Sequence, residues 1–172
     1  NFRSILFCMK RLILLFSVFL VSACTTEPAM NPDPNHTHAD FAMWVSGTPV
    51  DFTQEKYMSA APYENPDGTW TYPTEDPKRK YLHLHDENGT VIHRHKPGLM
   101  LVEFFDSLGI TLAKDCVTLD TKEKLCNTDA ARWRVFVNGE EWPFQPTYVF
   151  NDVDAILLTY GGTDEQIASQ LD

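Results

Sequence analysis

The sequence predicts an α+β domain in which a mixed sheet packs on one main helix, with a strand hairpin at its N-terminal end. Three observations predict it. Apolar and polar residues alternate in several short runs bounded by Gly, Pro and Asn, which is the period of half-buried strands. One longer run, Leu99 to Gly109, switches to helical spacing. From residue 81 onward the order is hairpin, helix, then several strands, which is the β-grasp order of a sheet wrapped around one helix.

The first 23 residues are read as targeting rather than fold. Met9, Lys10 and Arg11 give a start and a positive region, and Leu12 to Val21 is an apolar run. Ser22, Ala23 and Cys24 close it with small residues and a cysteine. This is the layout of a secretory signal peptide. The run is shorter than the about 20 apolar residues of a membrane span. The ending Val21-Ser22-Ala23-Cys24 resembles a bacterial lipobox, which implies cleavage before Cys24 and lipidation of that cysteine. Residues 1–8 then lie upstream of the start. Residues 24–35 follow as the lipidated cysteine and a Pro-rich flexible tether, and residues 36–172 as a single globular domain.

Within that domain, FAMWVSGTPVDF (41–52) reads as strand, Ser-Gly-Thr-Pro turn and strand, and QEKYM (54–58) as a short helix. Residues 59–80 form a long irregular insert whose aromatics, Tyr63, Trp70 and Tyr72, point to loop packing. The segment 81–95 is a hairpin. Leu101, Phe104, Phe105 and Leu108 mark the buried face of the main helix, and Gly109 stops it. Strands are expected at Cys116–Leu119, Arg132–Val137, Thr147–Phe150 and Ala155–Tyr160. Thr163 and Gln166 make the capping box of a terminal helix.

All six histidines occur as His-x-His pairs: His36/His38, His83/His85 and His93/His95. In a strand, residues i and i+2 share a face, so each pair presents two imidazoles together. The loop of the 81–95 hairpin decides whether two pairs meet. A two-residue loop, Asn88-Gly89, would send them to opposite faces. A three-residue loop, Glu87-Asn88-Gly89 with Gly89 left-handed, sets His83 opposite His93 and Leu84 opposite Ile92. The second register sorts histidines from leucines, and a buried face fixes register strongly. His36 and His38 close the site if their strand borders the hairpin. Neutral imidazoles this close suit a divalent metal, with Asp40 and Asp86 as oxygen ligands or as acceptors behind the histidines. An all-imidazole set favours one Zn(II) or Cu(II) ion over Ni(II), and disfavours Cu(I).

The net charge is −10. All the acidic residues follow residue 23, whereas Arg3, Lys10 and Arg11 precede it, so the processed chain is more acidic still. This excludes nucleic acid as a natural partner and leaves the lipid as the only membrane link. After processing, Cys116 and Cys126 remain, and an exported chain makes a disulfide between them the expectation.

The set HTHADF, LHLHDENGTVIHRH, Phe-Phe-x-Ser-Leu-Gly, VFVNG and DVDAILLTYG resembles a family of small secreted proteins of archaea and candidate bacterial phyla, over nearly the whole processed chain. The last third also resembles the β-grasp domain at the C-terminus of cobalamin-carrier proteins. The first likeness implies a secreted location and the second a fold. HTHAD resembles the His-x-His-x-Asp-His motif of metallo-β-lactamase-like hydrolases, but Phe41 stands where the last histidine belongs.

Three functions follow in order. The first is an extracytoplasmic, membrane-anchored lipoprotein, at the cell surface or in a periplasm, that binds a transition metal and exchanges it with a donor or receiver protein, or sequesters it. The second is a metalloenzyme on a β-grasp scaffold, redox-active if it holds copper. The third is a metal-free interaction module using Trp44, Trp70 and Trp142.

Overall fold

The computed structural model describes residues 35–172; residues 1–34, with Cys24 and most of the expected tether, lie outside them. The strands are β1 (Thr37–Val45), β2 (Thr48–Pro49), β3 (Tyr63–Glu64), β4 (Trp70–Thr71), β5 (Leu82–His83), β6 (Val91–Arg94), β7 (Thr111–Leu112), β8 (Cys116–Thr118), β9 (Lys124–Cys126), β10 (Trp133–Val137), β11 (Glu140–Trp142) and β12 (Asp154–Tyr160). The helices are α1 (Leu101–Ser107) and α2 (Asp164–Leu171), with one 3-10 turn at Glu55–Tyr57.

Seven strands form the main sheet in the order β11-β10-β12-β1-β6-β5, with β2 paired to β1. β1 runs parallel to β12 and antiparallel to β6, and β10 is antiparallel to β12. The fold is thus α+β and β-grasp-like. Its central parallel pair uses the N-terminal strand β1, so the expected N-terminal hairpin stands at the middle of the sheet.

β1 alternates strictly. Thr37, Ala39, Phe41 and Met43 are buried, while His38 and Ala42 are half-buried and Asp40 is exposed. The buried face meets α1, whose Leu101, Phe104 and Phe105 are buried as the helical spacing predicts. Phe104 meets Phe41 edge-on at 5.0 Å. The start of α1 is satisfied from outside: Glu103 accepts the Met100 N–H, and the carbonyls of Tyr148 and Pro146 accept those of Leu101 and Val102. At its end Gly109 has φ 79°. The Gly109 and Ile110 N–H groups donate to Asp106 and Phe105, the paired bonds of a Schellman stop.

The helix start also explains why Thr147–Phe150 is no strand. Its Tyr148 carbonyl caps α1 and its Tyr148 hydroxyl donates to Asp154, so this segment serves the helix instead of the sheet. The 59–80 insert is more regular than expected, for it holds the β3–β4 hairpin. Tyr63 and Trp70 stay exposed there, and of the three aromatics Tyr72 packs edge-on against Tyr81 and His95.

The histidine hairpin has the expected register, with His83 opposite His93, but a different turn. The left-handed residues are Asp86 and Glu87, both at φ 58°, and the Asn88 N–H donates to the His85 carbonyl. Gly89 serves a separate need. A Cβ there would stand 2.5 Å from the Phe52 carbonyl carbon, so glycine permits the chain at 52–53 to pass against it. Elsewhere, Cys116 and Cys126 pair across β8 and β9 as a disulfide. Thr163 and Gln166 exchange both capping-box bonds at α2.

Candidate metal centre

Three strands bring the histidines together. In register, His38 of β1 lies opposite His93 of β6, and His93 lies opposite His83 of β5. Directly opposed residues point to one face. The other face is taken by Ala39, Ile92, Leu82 and Leu84, all nearly inaccessible in the core. The alternation that buries those apolar residues therefore turns His38, His93 and His83 outward together, with His36, His95 and His85 two residues along each strand.

The six rings form one contiguous array. His36 stacks on His95 at 4.2 Å between ring centres and lies 4.4 Å from His38. His93 is the hub, 3.8 Å from His85, 4.7 Å from His38 and 5.7 Å from His36. His83, His93 and His95 are buried, at 1%, 9% and 7% exposure. His36 and His85 are half-buried, and the His38 side chain, 40% exposed, forms the open edge.

Burial dominates the electrostatics. Desolvation, opposed by the Arg79 carbonyl and reinforced by His85 and His36, lowers the His83 pKa to about 4. Desolvation, together with repulsion from His85, His38, His83 and His36, lowers that of His93 to about 2. Both rings are neutral near pH 7 and offer nitrogen lone pairs, the form a metal ion requires.

Two of the rings are oriented from behind. A carbonyl can only accept, so the His83 Nδ1–H donates to Arg79 O at 2.6 Å. Arg79 is itself pinned, with its guanidinium donating to the carbonyls of Ser107, Met58 and Lys56. His85 Nδ1 bonds the Asp86 carboxylate at 2.7 Å.

Among the described residues, His36, His93 and His95 each bring one ring nitrogen within 4.8 Å of the others. His36 Nε2 and His93 Nδ1 stand 3.4 Å apart. Metal–nitrogen bonds of about 2.0–2.1 Å around a tetrahedral ion set nitrogens about 3.3 Å apart. This pair already has that spacing, and the third nitrogen needs a shift within side-chain reach.

The other sequence-derived candidates fall around this set. His38 and His85 touch its rings from outside, and His83 touches His93 and His95. Asp86 serves as the acceptor behind His85. Asp40 is exposed, opposite Val91 on the β1–β6 ladder, and stands apart from the three-nitrogen set. Three participants escaped the sequence reading. Asp152 accepts the His38 N–H and lies 3.9 Å from its Nδ1. The Arg79 carbonyl orients His83, though Lys78-Arg79-Lys80 looks like a solvated charge run. Tyr72 covers His95 at 5.3 Å. Of the three only Tyr72 carried a signal, the insert's aromatic content, which marked it for packing without saying where.

No family model, curated protein or solved structure matches the chain.

Proposed function

We propose that the protein is an extracytoplasmic lipoprotein that binds one divalent transition metal ion through its paired histidines and delivers or sequesters it. His36, His93 and His95 are the ligands, and Zn(II) or Cu(II) is the ion their all-imidazole chemistry suits. The observation that carries this reading is the convergence of three imidazole nitrogens within 4.8 Å. Surface histidines gathered by chance would remain solvated and titrate normally, whereas His93 here is buried and held neutral.

The acidic chain and the lipobox-like Cys24 support an anchored protein facing outward, which exchanges its ion with a donor or receiver protein. Among the described residues no helix is long and apolar enough to cross a membrane. The exposed side of His38, beside Asp152, is the approach for a cation.

The test is native mass spectrometry with competition titration of the purified chain, free of tag histidines, against Zn(II), Cu(II) and Ni(II). One tightly held ion, lost in His93→Ala/His95→Ala, is the expected result. Binding no tighter than that of an unstructured histidine peptide would overturn the reading.

A further inference from the structure

We propose that His83 is the fourth ligand of this centre, so that four imidazoles, from His36, His83, His93 and His95, close the ion's coordination. This rests on the metal-binding reading above and deepens it, because it determines what the site can do.

The first support is the state of the His83 ring. It is 1% exposed, and its Nδ1 proton is committed to the Arg79 carbonyl. Nε2 is therefore the lone-pair nitrogen, and it is buried with no hydrogen bond. A buried acceptor left unpaired costs about 1–3 kcal/mol, and folded interiors seldom keep one. A metal-bound histidine has this arrangement, with one nitrogen on a backbone carbonyl and the other on the ion.

The second support is geometric. The four rings form a closed circuit: His36 to His95 at 4.2 Å, His95 to His83 at 5.1 Å, His83 to His93 at 6.2 Å and His93 to His36 at 5.7 Å. Metal–nitrogen bonds of about 2.05 Å, extended by roughly 1.1 Å to each ring centre, put neighbouring centres about 5.2 Å apart around a tetrahedral ion. The four circuit distances scatter about that value, and the His83 ring, which stands outside the 4.8 Å set of His36, His93 and His95, swings inward to join them on binding. His38 and His85 fit less well. Their side chains are more open, 40% and 14% exposed, and neither keeps a buried ring nitrogen without a hydrogen bond as His83 does.

A catalytic zinc site holds three protein ligands and keeps one position open, whereas a four-ligand site is closed. Four imidazoles therefore favour carriage or storage over hydrolysis, and release requires one ligand to let go.

The experiment loads the full chain, purified in detergent, with one equivalent of Zn(II) or Co(II). X-ray absorption at the zinc edge counts imidazoles, and the cobalt d–d bands report geometry. Wild type is expected to show four imidazoles and intense tetrahedral bands. His83→Gln should show three imidazoles and one oxygen. Its zinc affinity should fall by more than the roughly 10–100-fold that losing an outer partner causes. His38→Ala and His85→Ala should keep four. Three imidazoles plus oxygen in wild type, or an unchanged spectrum in His83→Gln, would overturn the proposal while leaving metal binding intact. Absence of any bound ion would overturn both readings. If His83→Gln fails to fold, ¹⁵N NMR of the wild type decides: a His83 Nε2 resonance that zinc leaves unmoved, while His36, His93 and His95 shift, refutes the fourth ligand.

Discussion

Acidifying the metal-free protein probes the buried histidines directly. His83 titrates near pH 4 and His93 near pH 2 in the folded chain, both below the ordinary histidine value of 6.5. The unfolded chain therefore binds more protons than the folded one as pH falls below 6.5. The stability these residues contribute is fully present above that pH and is lost on the way down, levelling for His83 only near pH 4. Each unit of pH in the window removes at most about 1.4 kcal/mol per group. Between pH 6.5 and 5 that is about 2 kcal/mol for each ring, or about 4 kcal/mol as a ceiling for both. Water entering the array would reduce it, yet even half is a large share of a total near 5–15 kcal/mol. Asp120 and Asp154 are held below 3.8, so their contribution fades only at lower pH. The assay is urea unfolding with a chelator present, at pH values from about 7.5 to 5, for wild type and His83→Gln/His93→Gln. A midpoint that stays constant across that range, or a slope that survives in the double variant, refutes the claim that these rings are buried neutral.

Arg79→Ala removes three hydrogen bonds that pin the carbonyl behind His83; zinc affinity should drop about 10–100-fold in a competition titration. Gly89→Ala drives a methyl group into the Phe52 backbone, and calorimetry should record a loss of about 1–3 kcal/mol. Reducing the Cys116–Cys126 bond frees a short loop, and urea unfolding should show roughly 2–3 kcal/mol less stability, with the zinc affinity unchanged because the β7–β8–β9 sheet lies apart from the histidine strands.

The sequence carried the parts of the site that depend on local period. Leu82, Leu84 and Ile92 had to share a face, and that requirement alone placed His83 opposite His93. The pairing of β1 with β6 was legible only as a condition, because nothing local in HTHADF names its neighbour. The parallel pairing of β1 with β12 was invisible for the same reason, and with it the approach of Asp152 to His38. Turn chemistry misled in one place. Glu87-Asn88-Gly89 was expected as the loop with Gly89 left-handed, but Gly89 was needed for close approach, and Asp86 and Glu87 took the left-handed positions. Arg79 was hidden because a guanidinium that binds three carbonyls reads the same in sequence as one facing water.

The outer face of the sheet is divided between two uses. Toward one end α2 covers it, with Ile167 packed on Phe136 and Leu157 beside Ala42 and Trp44. Toward the other end no helix arrives among the described residues, and His38 of the same strand, with His36 just before it, meets the imidazoles of the β5–β6 hairpin. Each histidine-bearing strand is anchored by its adjacent residues in the core: Ala39 beside His38, Ile92 beside His93, Leu82 and Leu84 on either side of His83. Ligands mounted this way move only if the core moves, which is why strands hold a site more accurately than loops do. His36 and His95 lie just outside β1 and β6, and His36 is the more open, half-buried where His83, His93 and His95 are buried. The proposed centre, with three buried imidazoles and one half-buried, would hold an ion firmly and still surrender it through a single ligand. That division of labour suits a carrier better than a site that must bind and turn over a substrate.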